Sequence, residues 1–289
     1  MIKALFKTMR PRQWVKNSIV FFALIFDKQL FDGTALLRTL MGALLFSLVA
    51  STVYIFNDIA DIEADRQHPK KKDRPLPSGE LPVNMARGAA LVILTFALPA
   101  AYFLAPAFAG VLAFYFVMMV AYTNSLKHVP ILDVMIIAAG FVLRVHAGVT
   151  LIAVERFSPW LYVITTLGAL YLGFGKRLAE LKLLTDGAGS HRKVLDGYTI
   201  PLLDQFITIV SGTTIVAYSL YTFTAPNLPD NHAMMLTIPF VIYAIFRYLQ
   251  LVEISDKTGS PEEVVLTDRP MQVAILLWGL VVMGVFYLS

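Results

Sequence analysis

The chain has no cysteine, which excludes disulfides, thiolate nucleophiles and metal sites built on sulfur. It is also poor in charge. Asp, Glu, Lys and Arg make up 15% of its 289 residues, whereas a typical soluble domain has about 25%. Hydrophobic residues make up 57%, and the mean hydropathy is +0.67. These values exclude an ordinary soluble enzyme and predict a polytopic, all-α membrane protein that forms a single domain over residues 1–289.

Apolar runs that approach the roughly 20 residues needed to cross a bilayer recur along the chain. We expect nine transmembrane helices, which places the two termini on opposite sides of the membrane. The segment before the first helix, 1–14, is basic and amphipathic and has no signal-peptide cleavage site, so we expect it to be retained and to lie on the membrane surface. The predicted helices cover 15–31, 36–56, 86–105, 107–124, 131–153, 158–174, 200–223, 234–252 and 271–288.

Lysine and arginine are distributed unevenly between the predicted connections. With the N-terminus in the cytoplasm, only Lys28, Arg38 and Arg156 fall on the outer side, together with the C-terminus, which satisfies the positive-inside rule. Polar loops that share one face indicate an enzyme with a single active-site mouth in the inner (plasma) membrane. In this orientation the cytoplasmic face carries the long polar loops, which are 57–85, 175–199 and 253–270.

The first polar loop concentrates acidic and basic residues between two nearly uncharged segments. If the preceding helix continues into it, Asp58, Asp61 and Asp65 lie at i, i+3 and i+7 on one face, with Asn57 one turn before Asp61. Carboxylates crowded in this way repel one another unless a cation lies among them, and hard oxygen ligands suit Mg²⁺ that also binds substrate phosphates. The basic run that follows could bind the same phosphates. The alternative is a solvated, salt-bridged loop, although such a loop usually alternates the sign of its charges.

The second polar loop combines two groups of cations with a glycine-containing turn. Lys176 and Arg177 follow a predicted span, Lys176 is four residues before Glu180, and Arg192 and Tyr198 come after the turn. Cations grouped around a turn predict an anion site. The alternative is ordinary positive charge that flanks a membrane span.

Arg144 lies near the middle of the fifth predicted span. A charged side chain at that depth costs about 2.5–3.5 kcal/mol on insertion scales and is a functional-site hypothesis by default. We expect Arg144 to face the bundle interior and to meet a carboxylate or a substrate phosphate. Asp133 and Lys127 flank the start of the same span and are weaker candidates for substrate contact.

The first polar loop also carries a family pattern. NDxxDxxxD, followed by HPxKxxRPLPSG, resembles the first signature of the UbiA superfamily of intramembrane transferases and covers residues 57–79. Nine helices with both polar loops on the cytoplasmic side also resemble that family, so the resemblance covers essentially the whole chain. It implies an all-α bundle in which the acidic side chains of the first motif hold Mg²⁺ bound to a diphosphate.

The second loop departs from the usual pattern of that family. Typical prenyltransferases of the family carry a second aspartate motif there, but this chain has GKRLAEL, with Lys176, Arg177 and Glu180. Cations in place of carboxylates suggest one metal-bound diphosphate and one separate phosphate. The stretches RPRQWVKN (which contains Lys16), FGKRxAEL, HRxVLxxYT and LTDRP resemble the branch whose donor is 5-phosphoribosyl diphosphate and whose acceptor is a polyprenyl monophosphate.

The resemblance implies transfer of the 5-phosphoribosyl group to a polyprenyl, decaprenyl-like phosphate, with release of diphosphate, for cell-envelope pentose precursors. Two alternatives stay open: a prenyltransferase of the same family that acts on an aromatic acceptor, and an ion or phosphate transporter. The expected partners are the donor, the lipid and the membrane, without nucleic acid. The expected metal ligands for Mg²⁺ are Asn57, Asp58, Asp61 and Asp65; the expected catalytic residues are Asp58, Asp61, Lys176 and Arg177; the expected substrate-binding residues are Lys16, Asn57, Lys71, Arg74, Arg144, Glu180, Arg192 and Tyr198.

Overall fold

The regular structure of the chain is helical. The computed structural model describes residues 1–68, 71–154, 158–185, 193–226, 228–254, 264 and 267–288. No β-strand occurs among those residues, which confirms the all-α prediction. We number the α-helices in chain order: α1 (Ile2–Thr8), α2 (Phe22–Phe26), α3 (Gly33–Ala60), α4 (Ile62–Gln67), α5 (Val83–Leu104), α6 (Pro106–Asn124), α7 (Leu132–Leu151), α8 (Trp160–Thr185), α9 (Ile200–Thr224), α10 (Ile238–Ile254) and α11 (Arg269–Tyr287). Shorter 3₁₀ helices cover Pro11–Phe21, Leu126–His128, Lys193–Gly197 and Ala233–Thr237.

Seven of the described helical segments are long and apolar enough to cross a membrane: α3, α5, α6, α7, α9, α11 and the segment Ala233–Ile254 that contains α10. The chain is therefore a multi-pass membrane protein. The 26-residue α8 carries two lysines, an arginine and a glutamate in its second half, which lowers its mean hydropathy. That nine helices cross the membrane stays a prediction. That the polar loops lie on the cytoplasmic side also stays a prediction.

The first predicted span, 15–31, is not one continuous α-helix. A 3₁₀ helix is followed by the five residues of α2, and the chain then turns at Lys28, whose φ is 59°. Asn17 is buried within this stretch and needs hydrogen-bond partners there. Its side-chain Nδ2 donates to Ser47 Oγ and its Oδ1 accepts from Arg144 Nε, both at 2.8 Å. Tertiary hydrogen bonds thus hold this stretch against α3 and α7, although its hydropathy alone predicts a membrane span.

Several helix ends coincide with capping residues. Asp32 caps α3 by accepting from Thr34 N and Ala35 N at 2.8 and 2.9 Å, and the hydroxyl of Thr199 caps α9. α6 begins with Pro106, a first-turn position where proline sacrifices no helical hydrogen bond. The connection between α5 and α6 is consequently a single residue.

The chain divides into two compact units, which are described separately. The division falls within α7. The first unit comprises Met1–Ile25, Gln29–Lys127 and Leu143–Val154. The second unit comprises Phe26–Lys28, His128–Val142 and Glu155–Ser289.

α3 forms the centre of the first unit. Its Phe46 and Val49 are fully buried, together with Phe108 of α6. Gly148 of α7 permits a close backbone approach, because a Cβ atom at this position would lie 2.1 Å from the carbonyl oxygen of Val20. The 3₁₀ helix that follows α1 is therefore packed directly against α7.

The N-terminal segment 1–14 also contributes to the first unit. Ala4, Thr8 and Met9 are buried, and Ala4 and Met9 belong to an apolar cluster with Ile55 of α3. Phe6 is 54% exposed, in agreement with an amphipathic segment. Its placement on the membrane surface stays a prediction.

The second unit has its core on α8. Leu178 of α8 and Leu203 of α9 are fully buried in one cluster that also includes residues of α10 and α11. Gly173 lets α8 approach the start of α7, since a Cβ atom there would lie 2.5 Å from a methyl group of Val134.

Candidate substrate and metal sites

The acidic motif lies where α3 ends and α4 begins, in the first unit. The predicted continuous helix is interrupted at one residue, Asp61, whose φ and ψ are −99° and 7°. The helical bonding register continues nevertheless, because Asp61 N donates to Asn57 O at 3.0 Å and Asp65 N donates to Asp61 O at 2.8 Å. Asp58 and Asp65 thus stay on one side of the chain, as the spacing predicts, and both are buried.

One guanidinium group joins these two buried carboxylates. Nη1 of Arg74 lies 2.7 Å from Asp65 Oδ2 and 3.4 Å from Asp58 Oδ1. Lys71 Nζ lies 3.7 Å from Asp65 Oδ1. The two cations that were predicted to bind phosphate therefore contact the carboxylates of the same motif. A single guanidinium nitrogen of Arg74 thus bridges the two carboxylates.

The turn between α4 and α5 holds Arg74 in this position. Leu76 and Leu81, on either side of the turn, are buried in the cluster that contains Ile55 of α3. Between them Gly79 adopts a φ of 81°, a left-handed conformation that glycine takes without steric cost. The sequence RPLPSG consequently forms an anchored turn with its arginine directed to the acidic motif.

Arg10 is the first residue of the RPRQWVKN stretch but is not among the predicted site residues, yet its guanidinium group donates a hydrogen bond to Asp58 Oδ1. The same group lies over the ring of Tyr54, 5.0 Å from the ring centroid. Arg10 has a φ of 54°, an uncommon value for a residue other than glycine. This conformation lies between α1 and the following 3₁₀ helix, where the chain changes direction toward α3.

Asp61 has a separate set of contacts. Lys127 Nζ donates to Asp61 Oδ1 at 2.6 Å, and Asn57 Nδ2 donates to Asp61 Oδ2 at 3.1 Å. The hydroxyl group of Thr123, on α6, donates to Asn57 Oδ1 at 3.5 Å. Lys127, a weaker candidate from the sequence, is therefore a member of the motif.

The donor set of the motif fits a hard divalent cation. Within the described ranges, no three acidic, histidine or cysteine side chains are grouped so that they could hold a metal ion by themselves. Mg²⁺, however, usually takes only one or two carboxylates and completes its shell with water and substrate phosphate. Asp58 and Asp65 already share one cationic group. That these two carboxylates, with Asn57 and Asp61, bind the ion stays a prediction.

Arg144 is buried in the first unit among aromatic and amide groups. Its Nε donates to Asn17 Oδ1 at 2.8 Å and its Nη2 donates to the hydroxyl oxygen of Tyr115 at 3.0 Å. The guanidinium group also lies over the rings of Phe46 and Tyr115, 5.2 and 5.1 Å from their centroids. These contacts give Arg144 a structural role in the interior of the unit. Its predicted contact with a phosphate stays a prediction.

A buried polar cluster lies in the second unit, around Asp133 at the start of α7. Asp133 is 0% exposed and accepts hydrogen bonds from Arg177 Nε and from the hydroxyl group of Tyr198, each at 2.6 Å. Arg177 Nη1 donates to Glu180 Oε2 at 2.7 Å. Three predicted site residues, Arg177, Glu180 and Tyr198, are thus brought together. Arg177 and Tyr198 contact Asp133, which was a weaker candidate from the sequence, and Glu180 contacts Arg177.

Tyr198 also fixes the turn that precedes α7. Ile131 N donates to the hydroxyl oxygen of Tyr198 at 2.6 Å, and Ile131 has a φ of 70°, a strained value for a β-branched residue. Gly197 allows this approach, because a Cβ atom there would lie 2.2 Å from Pro130. Burial, and then the hydrogen bond to Asp133, raise the pKa of Tyr198, so its phenol stays protonated as the donor of that bond.

The other predicted site residues are dispersed. Lys16 is partly buried on the N-terminal 3₁₀ helix of the first unit, and Lys176 is partly buried on α8 of the second. Arg192 lies outside the described residues.

Arg247 forms a two-bond ion pair with Asp268 at the start of α11. Its Nε and Nη2 lie 3.3 and 2.8 Å from the two carboxylate oxygens, and Met271 N donates to Asp268 Oδ1 at 2.9 Å. The hydrogen bond from Arg247, followed by that from the backbone, lowers the pKa of Asp268. The pair joins α10 to the N-terminus of α11.

Known proteins resemble this chain over most of its length. The model of the UbiA prenyltransferase family matches residues 18–266. A protein from Mycobacterium tuberculosis named decaprenyl-phosphate phosphoribosyltransferase is 34% identical over 283 residues, which cover 96% of this chain and 92% of that protein. Its namesake from Corynebacterium glutamicum is 32% identical over 279 residues, which cover 94% and 83%.

A solved structure shares the fold. It is a UbiA homologue from Archaeoglobus fulgidus bound to GPP and Mg²⁺, with a TM-score of 0.73 and 17% sequence identity. The superposition covers 98% of this chain and 99% of the homologue. At this identity the likeness establishes the helical architecture.

Proposed function

The chain belongs to the UbiA prenyltransferase family, and we propose that within it the protein transfers the 5-phosphoribosyl group of 5-phosphoribosyl diphosphate to a polyprenyl phosphate. The relatives at 32% and 34% identity are named for this type of transfer. The observation that carries the proposal is the different chemistry of the two motifs. The first unit has the paired buried carboxylates of Asp58 and Asp65, whereas α8 of the second unit carries Lys176 and Arg177. One metal-bound diphosphate and one separate phosphate match this difference.

In this proposal the donor diphosphate binds at the acidic motif of the first unit. Asp58 and Asp65 would hold Mg²⁺, which when bound neutralises negative charge on the departing diphosphate. Lys71 and Arg74 contact these carboxylates, and Lys127 contacts Asp61 of the same motif. The three side chains supply cationic hydrogen-bond donors for phosphate oxygens. The A. fulgidus homologue, solved with GPP and Mg²⁺, supports a metal-bound diphosphate in this family.

The transfer exchanges one bond at the anomeric carbon of the ribose. The bond to the diphosphate oxygen breaks, and diphosphate leaves with the electron pair. A bond to an oxygen of the polyprenyl phosphate forms on the oxocarbenium-like centre. A phosphate monoester loses its second proton at a pKa of about 6, so the acceptor is already nucleophilic near neutral pH and needs no strong general base. The contribution of the chain is positioning and electrostatic stabilisation.

The acceptor phosphate is assigned to Lys176 of α8. Arg177, the adjacent cation, is 5% exposed and directs its guanidinium group to Asp133 and Glu180. Lys176 is less deeply buried than Arg177, so we give Lys176 the direct contact with phosphate. The two ion pairs of Arg177 give it a positioning role on α8.

We also propose the inner (plasma) membrane as the location, with the N-terminus and both motif loops in the cytoplasm, from the distribution of lysine and arginine. The absence of native cysteine makes a labelling test clean. Lys72→Cys, in the first motif, should react with a membrane-impermeant maleimide only after the cells are permeabilised. Gly33→Cys, whose Cβ has open surroundings, should react in intact cells. The reverse pattern would overturn the orientation.

The choice of donor tests the activity. Purified protein is incubated with Mg²⁺, polyprenyl phosphate and 5-phosphoribosyl diphosphate that is radiolabelled in the ribose, and in parallel with labelled prenyl diphosphate and an aromatic acceptor. We expect label to enter the lipid phase only from the phosphoribosyl donor and only without EDTA. If only prenyl diphosphate is consumed, the protein is instead a prenyltransferase that acts on an aromatic acceptor. Solute uptake into vesicles without either reaction would favour a transporter.

A further inference from the structure

Helices α8, α9, α10 and α11 surround a cavity of about 290 Å³ within the second unit. Three of these helices lie in segments long and apolar enough to cross a membrane. Its wall includes Gly168, Tyr171, Thr214, Ala244, Tyr248 and Trp278.

The polar side chains of this wall are already satisfied by protein acceptors. A cavity whose wall offers no further hydrogen-bond donor excludes water and accepts apolar ligands. Among the described wall residues, the hydroxyl of Tyr171 donates to Ile245 O (2.5 Å), that of Tyr248 to Leu172 O (3.2 Å), that of Thr214 to Val210 O (2.7 Å), and Trp278 Nε1 to the hydroxyl oxygen of Tyr218 (2.7 Å).

The volume suits a short stretch of hydrocarbon chain. A water molecule takes about 30 Å³ of the liquid, and a methylene group is of similar size. The cavity of about 290 Å³ therefore accommodates about ten such groups. Two isoprene units contain ten carbon atoms.

A cation lies on the same face of α8 as the cavity. Gly168 and Leu172 line the cavity, and Lys176 follows Leu172 by four residues. Residues at this spacing share a helix face, and four residues span about 6 Å along the axis. A hydrocarbon chain in the cavity would thus have its head group close to the residue that we assign to the acceptor phosphate.

We propose that this cavity binds the first isoprene units of the polyprenyl phosphate acceptor, next to the phosphate; the identity of the ligand rests on the proposed function. In a polyprenyl phosphate the hydrocarbon begins directly at the phosphate oxygen. The charge of Lys176 is therefore complementary to the phosphate, and the dry cavity one turn away is complementary to the first isoprene units. A phospholipid separates its phosphodiester from its acyl chains by glycerol and ester groups. Those ester carbonyls would need hydrogen-bond donors at the cavity, where the donors of the wall are engaged.

Gly168 makes the cavity testable. No heavy atom lies within 4 Å of the position of a Cβ atom at Gly168, so that a larger side chain there enters open space. Gly168→Leu fills part of the cavity, and Gly168→Ala fills less. Gly212 on α9 has equally open surroundings but does not line the cavity, so Gly212→Leu is the matched control.

Binding is measured on the full chain in phosphatidylcholine nanodiscs with a polyprenyl phosphate that carries a diazirine on its second isoprene unit. We expect cross-links on cavity residues of α8 or α10, mapped by mass spectrometry and competed by unlabelled polyprenyl phosphate. Gly168→Leu should lower the yield about ten-fold, because the apolar surface is no longer buried, and Gly168→Ala should lower it less. Gly212→Leu should stay within about two-fold of the wild type.

Three outcomes would overturn the assignment. Cross-links of the wild type could fall outside the cavity, Gly168→Leu and Gly168→Ala could both bind like the wild type, or excess phospholipid could compete as well as polyprenyl phosphate. The map on the wild type decides the question even if Gly168→Leu does not fold. Cross-linking at the cavity without phosphoribosyl transfer would refute the proposed function and leave the lipid site standing.

Discussion

Removal of the Asp133 carboxylate should destabilise the second unit strongly. The side chains of Asp133 and Arg177 are 0% and 6% exposed and are joined at 2.6 Å. Removing one partner of a buried ion pair costs about 3–5 kcal/mol, because the other charge stays buried. Arg177 keeps Glu180, whereas Tyr198 loses the acceptor of its hydroxyl group. For Asp133→Ala we therefore expect a loss near the lower end of that range, about 3 kcal/mol.

The loss can be measured as a shift of the thermal unfolding midpoint in detergent. One kcal/mol corresponds to about 2–4 °C for a chain of 150–250 residues, so Asp133→Ala should lower Tm by roughly 6–12 °C. Asp204→Asn is the control, since Asp204 is exposed on α9, and its Tm should stay within about 2 °C of the wild type.

A double variant separates the buried charge from simple loss of packing. Asp133→Leu with Arg177→Met replaces the pair by apolar side chains, a change that is often neutral for buried pairs. The double variant still lacks the acceptor of the Tyr198 hydroxyl group, but it no longer buries an unpaired charge, so it should recover part of the Tm that Asp133→Ala loses. If Asp133→Ala unfolds at the same temperature as the control, the buried pair does not support the unit and the reasoning is refuted.

Three further predictions concern the sites. Asp58→Asn should abolish phosphoribosyl transfer while the protein still folds, as judged by its elution from a sizing column; full activity would contradict the metal assignment. Lys176→Ala should raise KM for polyprenyl phosphate about ten-fold, through loss of a charged hydrogen bond, and leave KM for the donor unchanged; an equal rise in both would contradict the assignment. Asp268→Asn should lower Tm at neutral pH, because the lowered pKa of Asp268 means that its ionised form stabilises the fold. That stabilisation is complete above the ordinary pKa of 3.8 and disappears as pH falls through the lower pKa of the folded state. The Tm values of the wild type and of Asp268→Asn should therefore converge in acid. A difference in Tm that persists there would contradict the role of the ion pair.

Long apolar runs bounded by strong end signals predict their helices well. The predicted spans 107–124 and 200–223 correspond to α6 and α9, which begin at Pro106 and at the residue after Thr199. Here local propensity, capping and hydropathy agree. The stretch 15–31 is not the continuous helix predicted, and its buried Asn17 takes partners from α3 and α7, contacts that no local pattern encodes.

The site was predictable where its residues are close in sequence. The spacing of Asp58 and Asp65, with Arg74 after them, gives a group that the structure brings together. Contacts between distant residues were not predictable. Arg10 reaches Asp58 across 48 residues, and Arg177 reaches Asp133 across 44. These pairings depend on how the helices pack, and composition and spacing carry no signal for that.

The most direct test of the account is transfer from a doubly labelled donor. 5-Phosphoribosyl diphosphate is labelled with one isotope in the ribose and another in the diphosphate, and it is supplied with Mg²⁺ and polyprenyl phosphate to the purified protein. We expect the ribose label to move to the lipid phase while the diphosphate label is released into water in equal amount. Both labels in the lipid, or neither, would contradict phosphoribosyl transfer with diphosphate as the leaving group.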